Sequence, residues 1–342
     1  MQVLVTGGKG FLASRLCREI LAKKQLVSAQ QEPQNIQRII LWDSHSANNE
    51  PNKDGSLAAS HTCSIEDISG DICDKNAVEM LFDTVLDKSL PLSVFHLASM
   101  MSGQGEECFE ECYQTNVNGT KNLLEGCKDF GAPAKFVFTS SIAAVGPTDN
   151  LSASTRPIPQ STYGATKAIA ELLVNEYSRR GFVDGRVGRL PTVIVRPGPP
   201  NAATTGSFSN IVKALIQGES YTCPIPKELQ HPVISYQTAV TCLHQLHDVP
   251  AQSLGNDRIV NLPAIQTCLR ELEAATISIL GQEEEKGLVG KEAVDLFTTS
   301  IVEKMASGVD CSQAKSLKLQ FDHNIKDIIK AYCEEHASDL SV

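Results

Sequence analysis

The sequence predicts an α/β protein built on a doubly wound parallel sheet, and three observations carry that expectation. Short apolar runs alternate with amphipathic stretches through the first half of the chain. A glycine-rich turn follows the first apolar run directly. Further on, a tyrosine and a lysine stand four residues apart on an amphipathic stretch, downstream of a serine pair that closes another apolar run.

The expected strands are Val3–Val5, Arg38–Trp42, Ser93–Leu97 and Lys135–Thr139, with a fifth over Gly188–Val195. Helices are expected over Phe11–Lys23, Ala77–Asp87, Cys108–Phe130 and Tyr163–Arg180. Ser44–Ile68 is polar and reads as a solvated loop. Beyond Arg196 the alternation loosens, and Pro197, Pro199 and Pro200 interrupt regular structure. The expected division is therefore a nucleotide-binding domain over residues 1–195 and a smaller substrate-binding region over 196–342.

Composition narrows the partners. The chain has 342 residues, 42% of them hydrophobic, and a formal charge of −10. No basic run tracks nucleic-acid phosphates, so no nucleic-acid partner is expected. The eleven cysteines include no C-x-x-C pair, and Cys108 and Cys112 have no histidine nearby. They read as buried or half-buried thiols rather than metal ligands, so no metal is expected. No apolar stretch is long enough for a bilayer, so no membrane partner is expected. Met1 leads almost at once into the first strand, which leaves no room for a targeting segment and points to the cytoplasm.

The turn Thr6-Gly7-Gly8-Lys9-Gly10-Phe11-Leu12-Ala13 suits a dinucleotide, and with it the fold reads as Rossmann-type. Gly7 permits the tight turn, and Gly10 lets the backbone approach a pyrophosphate. Phe11 and Leu12 open a helix whose first N–H groups face that anion. Asp43, ending the second strand, suits the adenosine ribose hydroxyls and repels a 2′-phosphate, which favours NAD over NADP. Asp71 and Ile72 follow the polar stretch and suit the adenine. Leu97, Ala98 and Ser99 close the next strand, where small residues let a cofactor pass. His96 alternates with apolar neighbours and reads as a satisfied core histidine.

Tyr163-Gly164-Ala165-Thr166-Lys167 is the strongest chemical signal. Four residues on a helix put Tyr163 and Lys167 on one face. A phenol with a pKa near ~10 is a poor base at neutral pH, and an adjacent ammonium lowers it. Ser141, with Ser140 as the alternative, supplies a hydroxyl to hold the reacting oxygen. A base, a group that tunes it and an oxygen holder beside a hydride acceptor make an oxidoreductase of alcohols.

Together these motifs resemble the short-chain dehydrogenase/reductase superfamily in its extended, epimerase-like branch. Thr6–Ala13, Asn116-Val117-Asn118-Gly119-Thr120 and Phe138–Gly146 carry the likeness over about residues 1–215, with Ala13 standing for the branch's last turn glycine. Ser161–Leu173, Tyr177–Phe182, Arg189–Thr192, Arg196–Asn201 and Gly206–Asn210 are further similar to the D-erythronate dehydrogenase group. That resemblance implies NAD-dependent oxidation at C2 of a four-carbon sugar acid by a homodimer. It also implies that Pro191 and Thr192 wall the nicotinamide. A sugar acid needs a cation for its carboxylate, and Arg196 and Arg189 are the candidates. Ser102 and Gln104 are placed to reach substrate hydroxyls. Gln237 stands where the resemblance leads one to expect an acid-binding arginine. Two other readings stay open: a nucleotide-sugar epimerase or dehydratase that borrows bound NAD, and a dinucleotide sensor without turnover.

Overall fold

Strand β1 (Gln2–Thr6) is buried along its whole length, as a near-continuous apolar run in a parallel sheet should be. The computed structural model describes residues 1–44, 63–198, 204–281 and 291–336. The chain continues through β2 (Arg38–Asp43), β3 (Ser64–Ser69), β4 (Leu92–His96), β5 (Ala134–Ser141) and β6 (Val183–Leu190). It then forms β7 (Thr192–Ile194), β8 (His231–Ser235), β9 (Ile259–Asn261) and β10 (Ile265–Thr267). Seven of these make one parallel sheet in the order β9-β6-β5-β4-β1-β2-β3. The winding reverses at β1, so a crevice opens where the carboxyl ends of β1 and β4 diverge.

The helices that matter here are α1 (Phe11–Lys23), α2 (Thr120–Asp129), α3 (Thr162–Arg179), α4 (Ser207–Ile216), α5 (Tyr236–Asp248), α6 (Leu269–Leu280) and α7 (Ile325–Glu335). On one face of the sheet Leu16, Cys17 and Ile20 of α1 share a core with Leu243 and Leu246 of α5. On the other face Leu123 and Leu124 of α2 pack with Val174 of α3 and Phe136 of β5. A third core joins Phe208 and Ile211 of α4, Leu269 and Leu272 of α6, and Ile328 and Ile329 of α7. It lies against a small sheet ordered β10-β8-β7. The residues after 195 thus serve two layers. Helix α5 and strand β9 return to the main sheet, while α4, α6 and α7 build the third core.

Several local expectations are corrected. The polar stretch taken as a loop contains β3, which pairs along its whole length with β2 at the sheet edge. Only one face of an edge strand needs apolar residues, which is why its sequence reads as solvated. Residues 45–62 of that stretch, like Pro199 and Pro200, lie outside the described residues. The strand expected over Gly188–Val195 is two strands. Pro191 has no N–H for a ladder, and the chain changes sheet there. The helix expected over Cys108–Phe130 is a helical run from Phe109 with a π-helical turn at Gln114–Gly119.

Three buried histidines make the fold acid-sensitive. Burial pushes His96 and His231 down to about 3 and His247 down to about 4. Their folded values lie below the ordinary value of 6.5, so the unfolded chain binds protons that the folded one refuses. The stabilisation is complete above that value and is lost as pH falls through it. Each group contributes a slope of ~1.4 kcal/mol per pH unit in that window. The urea midpoint should therefore drop steeply below about pH 6. A midpoint that stays level down to about pH 4 would show that these imidazoles take protons in place.

Candidate active site

Two glycines set the geometry at the two ends of the site. Gly7 adopts φ +69°, and a Cβ there would stand 2.8 Å from the backbone nitrogen of Ala98. No side chain fits, so the turn after β1 and the end of β4 come together. Gly164 lies in the first turn of α3, where a Cβ would meet the carbonyl oxygen of Ala143 at 2.2 Å. The helix can therefore settle directly on the turn that follows β5, and this puts Tyr163 beside Ser141.

An open cleft of about 740 Å³ runs between these points. Its nucleotide end is lined by Gly7, Gly10, Phe11 and Leu12. Gly10 caps α1 without a side-chain hydrogen bond, and the first turn holds no acidic residue. The helix N-terminus is thus an anion site in the sense of its dipole and its N–H groups. Asp43 lines the cleft too, and its Oδ2 accepts the Lys9 N–H at 3.1 Å. Asp71 and Ile72 lie along the same end, with Asp71 Oδ1 accepting the Cys73 N–H at 2.8 Å. Leu97, Ala98 and Ser99 form the floor where β4 ends. Ser99 Oγ donates to Asn116 Oδ1 at 3.0 Å, so the π-helical turn holds that floor in place.

At the other end Ser141, Tyr163, Lys167 and Arg196 share the cleft wall. Ser161 Oγ accepts the Gly164 N–H at 3.0 Å and starts α3 one residue before Tyr163. The phenol hydrogen-bonds the Ser141 hydroxyl, whose Oγ also accepts the Ala143 N–H at 3.1 Å. Burial pushes Tyr163 up to about 12, while Ser141 and the positive charge of Arg196 pull it back down. Burial also brings Lys167 down to about 7. Its Nζ donates to the Thr139 carbonyl at 2.9 Å and sits 5.6 Å from the centre of the Tyr163 ring. Lys167 and Arg196 thus both stand on the Tyr163 side of the cleft.

The glycine turn, the uncapped helix start and the strand-end carboxylate form a backbone cradle that suits a dinucleotide diphosphate and ribose. A model of the NAD-dependent epimerase/dehydratase family matches residues 3–232. The chain belongs to that family. It is an enzyme, an oxidoreductase that uses NAD(H).

Among relatives in this family, the D-erythronate dehydrogenase of Cupriavidus necator is 32% identical over 337 residues, covering 98% of each chain. The D-erythronate dehydrogenase of Haemophilus influenzae is 31% identical over 98% of this chain and 99% of its own. Among solved structures, a nucleoside-diphosphate-sugar epimerase from Agrobacterium tumefaciens superposes with a TM-score of 0.86 at 27% identity. That superposition covers 100% of this chain and 96% of the other.

Not every residue anticipated at this family's site reaches the cleft. Leu190 and Val193 line it, and Pro191 and Thr192 between them do not. Thr192 is buried with its Oγ1 at 2.7 Å from His231 Nε2, because the change of sheet at Pro191 turns it toward the third core. Ser102 is also buried away from the cleft, its Oγ 3.1 Å from Thr204 Oγ1, whereas Gln104 does line it. Ser140 lines the cleft but donates to Glu171 Oε1 at 2.5 Å. Arg189 grips the same carboxylate at 2.8 and 2.7 Å in a buried pair, so it is a structural ion. Gln237 is half-buried, is not among the lining residues, and donates to Glu335 at 3.3 Å. His96 is fully buried between Thr6 Oγ1 at 2.7 Å and Thr120 Oγ1 at 2.9 Å, as a core histidine should be.

Sequence reasoning missed one wall of the site. Ser209, Asn210 and Lys213 line the reaction end from α4. Their spacing of three and four on one helix was readable, but nothing local points that face toward β5.

Proposed function

We propose that the protein oxidises the C2 hydroxyl of a short-chain sugar acid with NAD, and that D-erythronate is the substrate to test first. The observation that carries this reading is the meeting of Ser141, Tyr163, Lys167 and Arg196 on one wall of a cleft whose far end is a helix-N-terminal cradle. The full-length likeness to two D-erythronate dehydrogenases supports the substrate class.

NAD, when bound, supplies the hydride acceptor and a positive ring charge beside the phenol. Gly7, Gly10, Phe11 and Leu12 hold its diphosphate, and Asp43 holds the adenosine ribose. Lys167 would hold the other ribose from the cleft wall. Ser141 and Tyr163 bond the substrate hydroxyl, and the Tyr163 oxygen takes its proton as the hydride leaves C2. Arg196 serves twice. It favours the phenolate and it faces the carboxylate next to the reacting carbon. Since a buried phenol near 12 is protonated at neutral pH, the oxidation rate should rise with pH. Phe109 and Leu172 are exposed apolar residues on two neighbouring helices, which is consistent with a homodimer formed there.

The decisive experiment follows absorbance at 340 nm with NAD and a panel of sugar acids. Free NADH in proportion to D-erythronate consumed supports the proposal. The likeness to the Agrobacterium epimerase keeps one other outcome in view, which is isomerisation of a nucleotide sugar with no free NADH. Asp43→Asn keeps the bond from the Lys9 N–H and removes the charge. Its kcat/KM preference for NAD over NADP should fall about ten-fold or more. An unchanged preference would remove Asp43 from cofactor selection.

A further inference from the structure

The reaction end of the cleft carries more positive charge than one carboxylate contact explains. Lys213 lies on α4, four residues beyond Ser209 and three beyond Asn210, and all three line the cleft. Arg196 lines the same end from the segment after β7. Among the described residues that line the cleft, the acidic side chains are Asp43 and Asp71, and both belong to the nucleotide end. The acidic side chains of the cleft thus lie away from the reaction end, whereas Lys9 lines the nucleotide end beside them. Lys213 Nζ donates to the Gly198 carbonyl at 2.8 Å, which holds the ammonium next to the turn that follows Arg196. The pKa of Lys213 is lowered first by burial and then by the charge of Arg196, as expected for two like charges held close together.

Bringing two cations together in a half-buried place is unfavourable unless an anion binds between them. An ammonium has three donors, and the Gly198 carbonyl takes one, so two remain for a ligand. A guanidinium and an ammonium can then hold the two oxygens of one carboxylate, while Asn210 and Ser209 stand by for hydroxyl groups.

We propose that Lys213 is a specificity residue that binds the substrate carboxylate jointly with Arg196, so that α4 selects acids over neutral polyols. This rests on the reading of the substrate as a sugar acid. It also explains how the site can bind an acid although Gln237 lies elsewhere.

The test uses the full chain saturated with NADH and three anionic probes: D-erythronate, D-glycerate and inorganic phosphate. Calorimetry compares wild type, Lys213→Met and Lys213→Arg. Lys213→Met should weaken binding of the acids at least ten-fold, leave the affinity for NADH within about two-fold, and raise KM for the acid far more than it lowers kcat. Lys213→Arg should restore most of the loss. If acid affinity changes less than two-fold, the proposal is overturned. It is equally overturned if NADH affinity falls in parallel, because Lys213 would then only brace the turn at Gly198. Wild type that binds none of the three probes also overturns it. Wild type that binds anions through Lys213 without oxidising D-erythronate would leave this inference standing and remove the substrate reading instead.

Discussion

Tyr163→Phe should lower kcat for sugar-acid oxidation by about 10²–10⁴-fold while the affinity for NADH stays within about three-fold of wild type. The ring remains, so the packing against the turn after β5 survives, and only the oxygen is removed. The cleft wall still carries Lys167, and the nucleotide end is untouched. The pH profile separates this loss from a general disturbance. In wild type the rate should climb toward alkaline pH, because burial pushes the phenol up to about 12 and each step upward would free more phenolate. In the phenylalanine variant the residual rate should lose that climb. Stopped-flow absorbance between about pH 6 and pH 10 reads both quantities. A variant that keeps wild-type kcat and the same alkaline rise would move the proton transfer to another group, with the Ser141 hydroxyl first in line.

The largest effect on stability is expected from Glu171→Gln. Glu171 and Arg189 are a buried pair with two hydrogen bonds, and Ser140 donates to the same carboxylate. Removing one charge of such a pair leaves the other buried without compensation, which costs about 3–5 kcal/mol. The urea midpoint should fall accordingly, and the slope of the transition should stay the same. Glu171 is also one of the groups that raise the Lys167 value against the effect of burial. Its neutral replacement should therefore lower that value further and weaken the lysine as a cation at neutral pH. The double variant Glu171→Leu/Arg189→Met removes both charges and should recover much of the lost stability. Equal losses in single and double variants would mean that packing volume, and not the uncompensated charge, sets the cost.

What the sequence revealed and what it concealed follow from where each signal resides. The turn from Thr6 to Ala13, the Tyr163–Lys167 spacing and Ser141 are local patterns, and each survives intact in the fold. The alternation that predicts the parallel sheet is likewise local, and the sheet order agrees with it. Other roles are fixed only by what packs nearby. Glu171 looks like an ordinary helix carboxylate until Arg189 arrives from β6. Lys213 and Asn210 look like a polar helix face until α4, packed on α6, lines the same cleft as the end of β5. Thr192, which the resemblance sets against the nicotinamide, has its hydroxyl bonded to His231, a partner from a distant strand that no local pattern announces. Strand β3 is concealed by its place at the edge, where polar residues suffice. Arg196 as a second cation on the Tyr163 side of the cleft comes from a segment outside that helix, so helical spacing gives no sign of its approach.

Pro191 gives the architecture a mechanical property. The chain leaves the main sheet at Leu190 and enters the small one at Thr192, so this crossing between the two layers is one residue long. Arg196 follows only two residues after β7 ends. There is too little slack for the outer layer to swing independently of the hydride-transfer machinery. Tilting it would move Arg196 relative to the other residues of the cleft wall. Descendants of this scaffold that take up new substrates are thus expected to exchange side chains along one helical face, keeping the joint rigid.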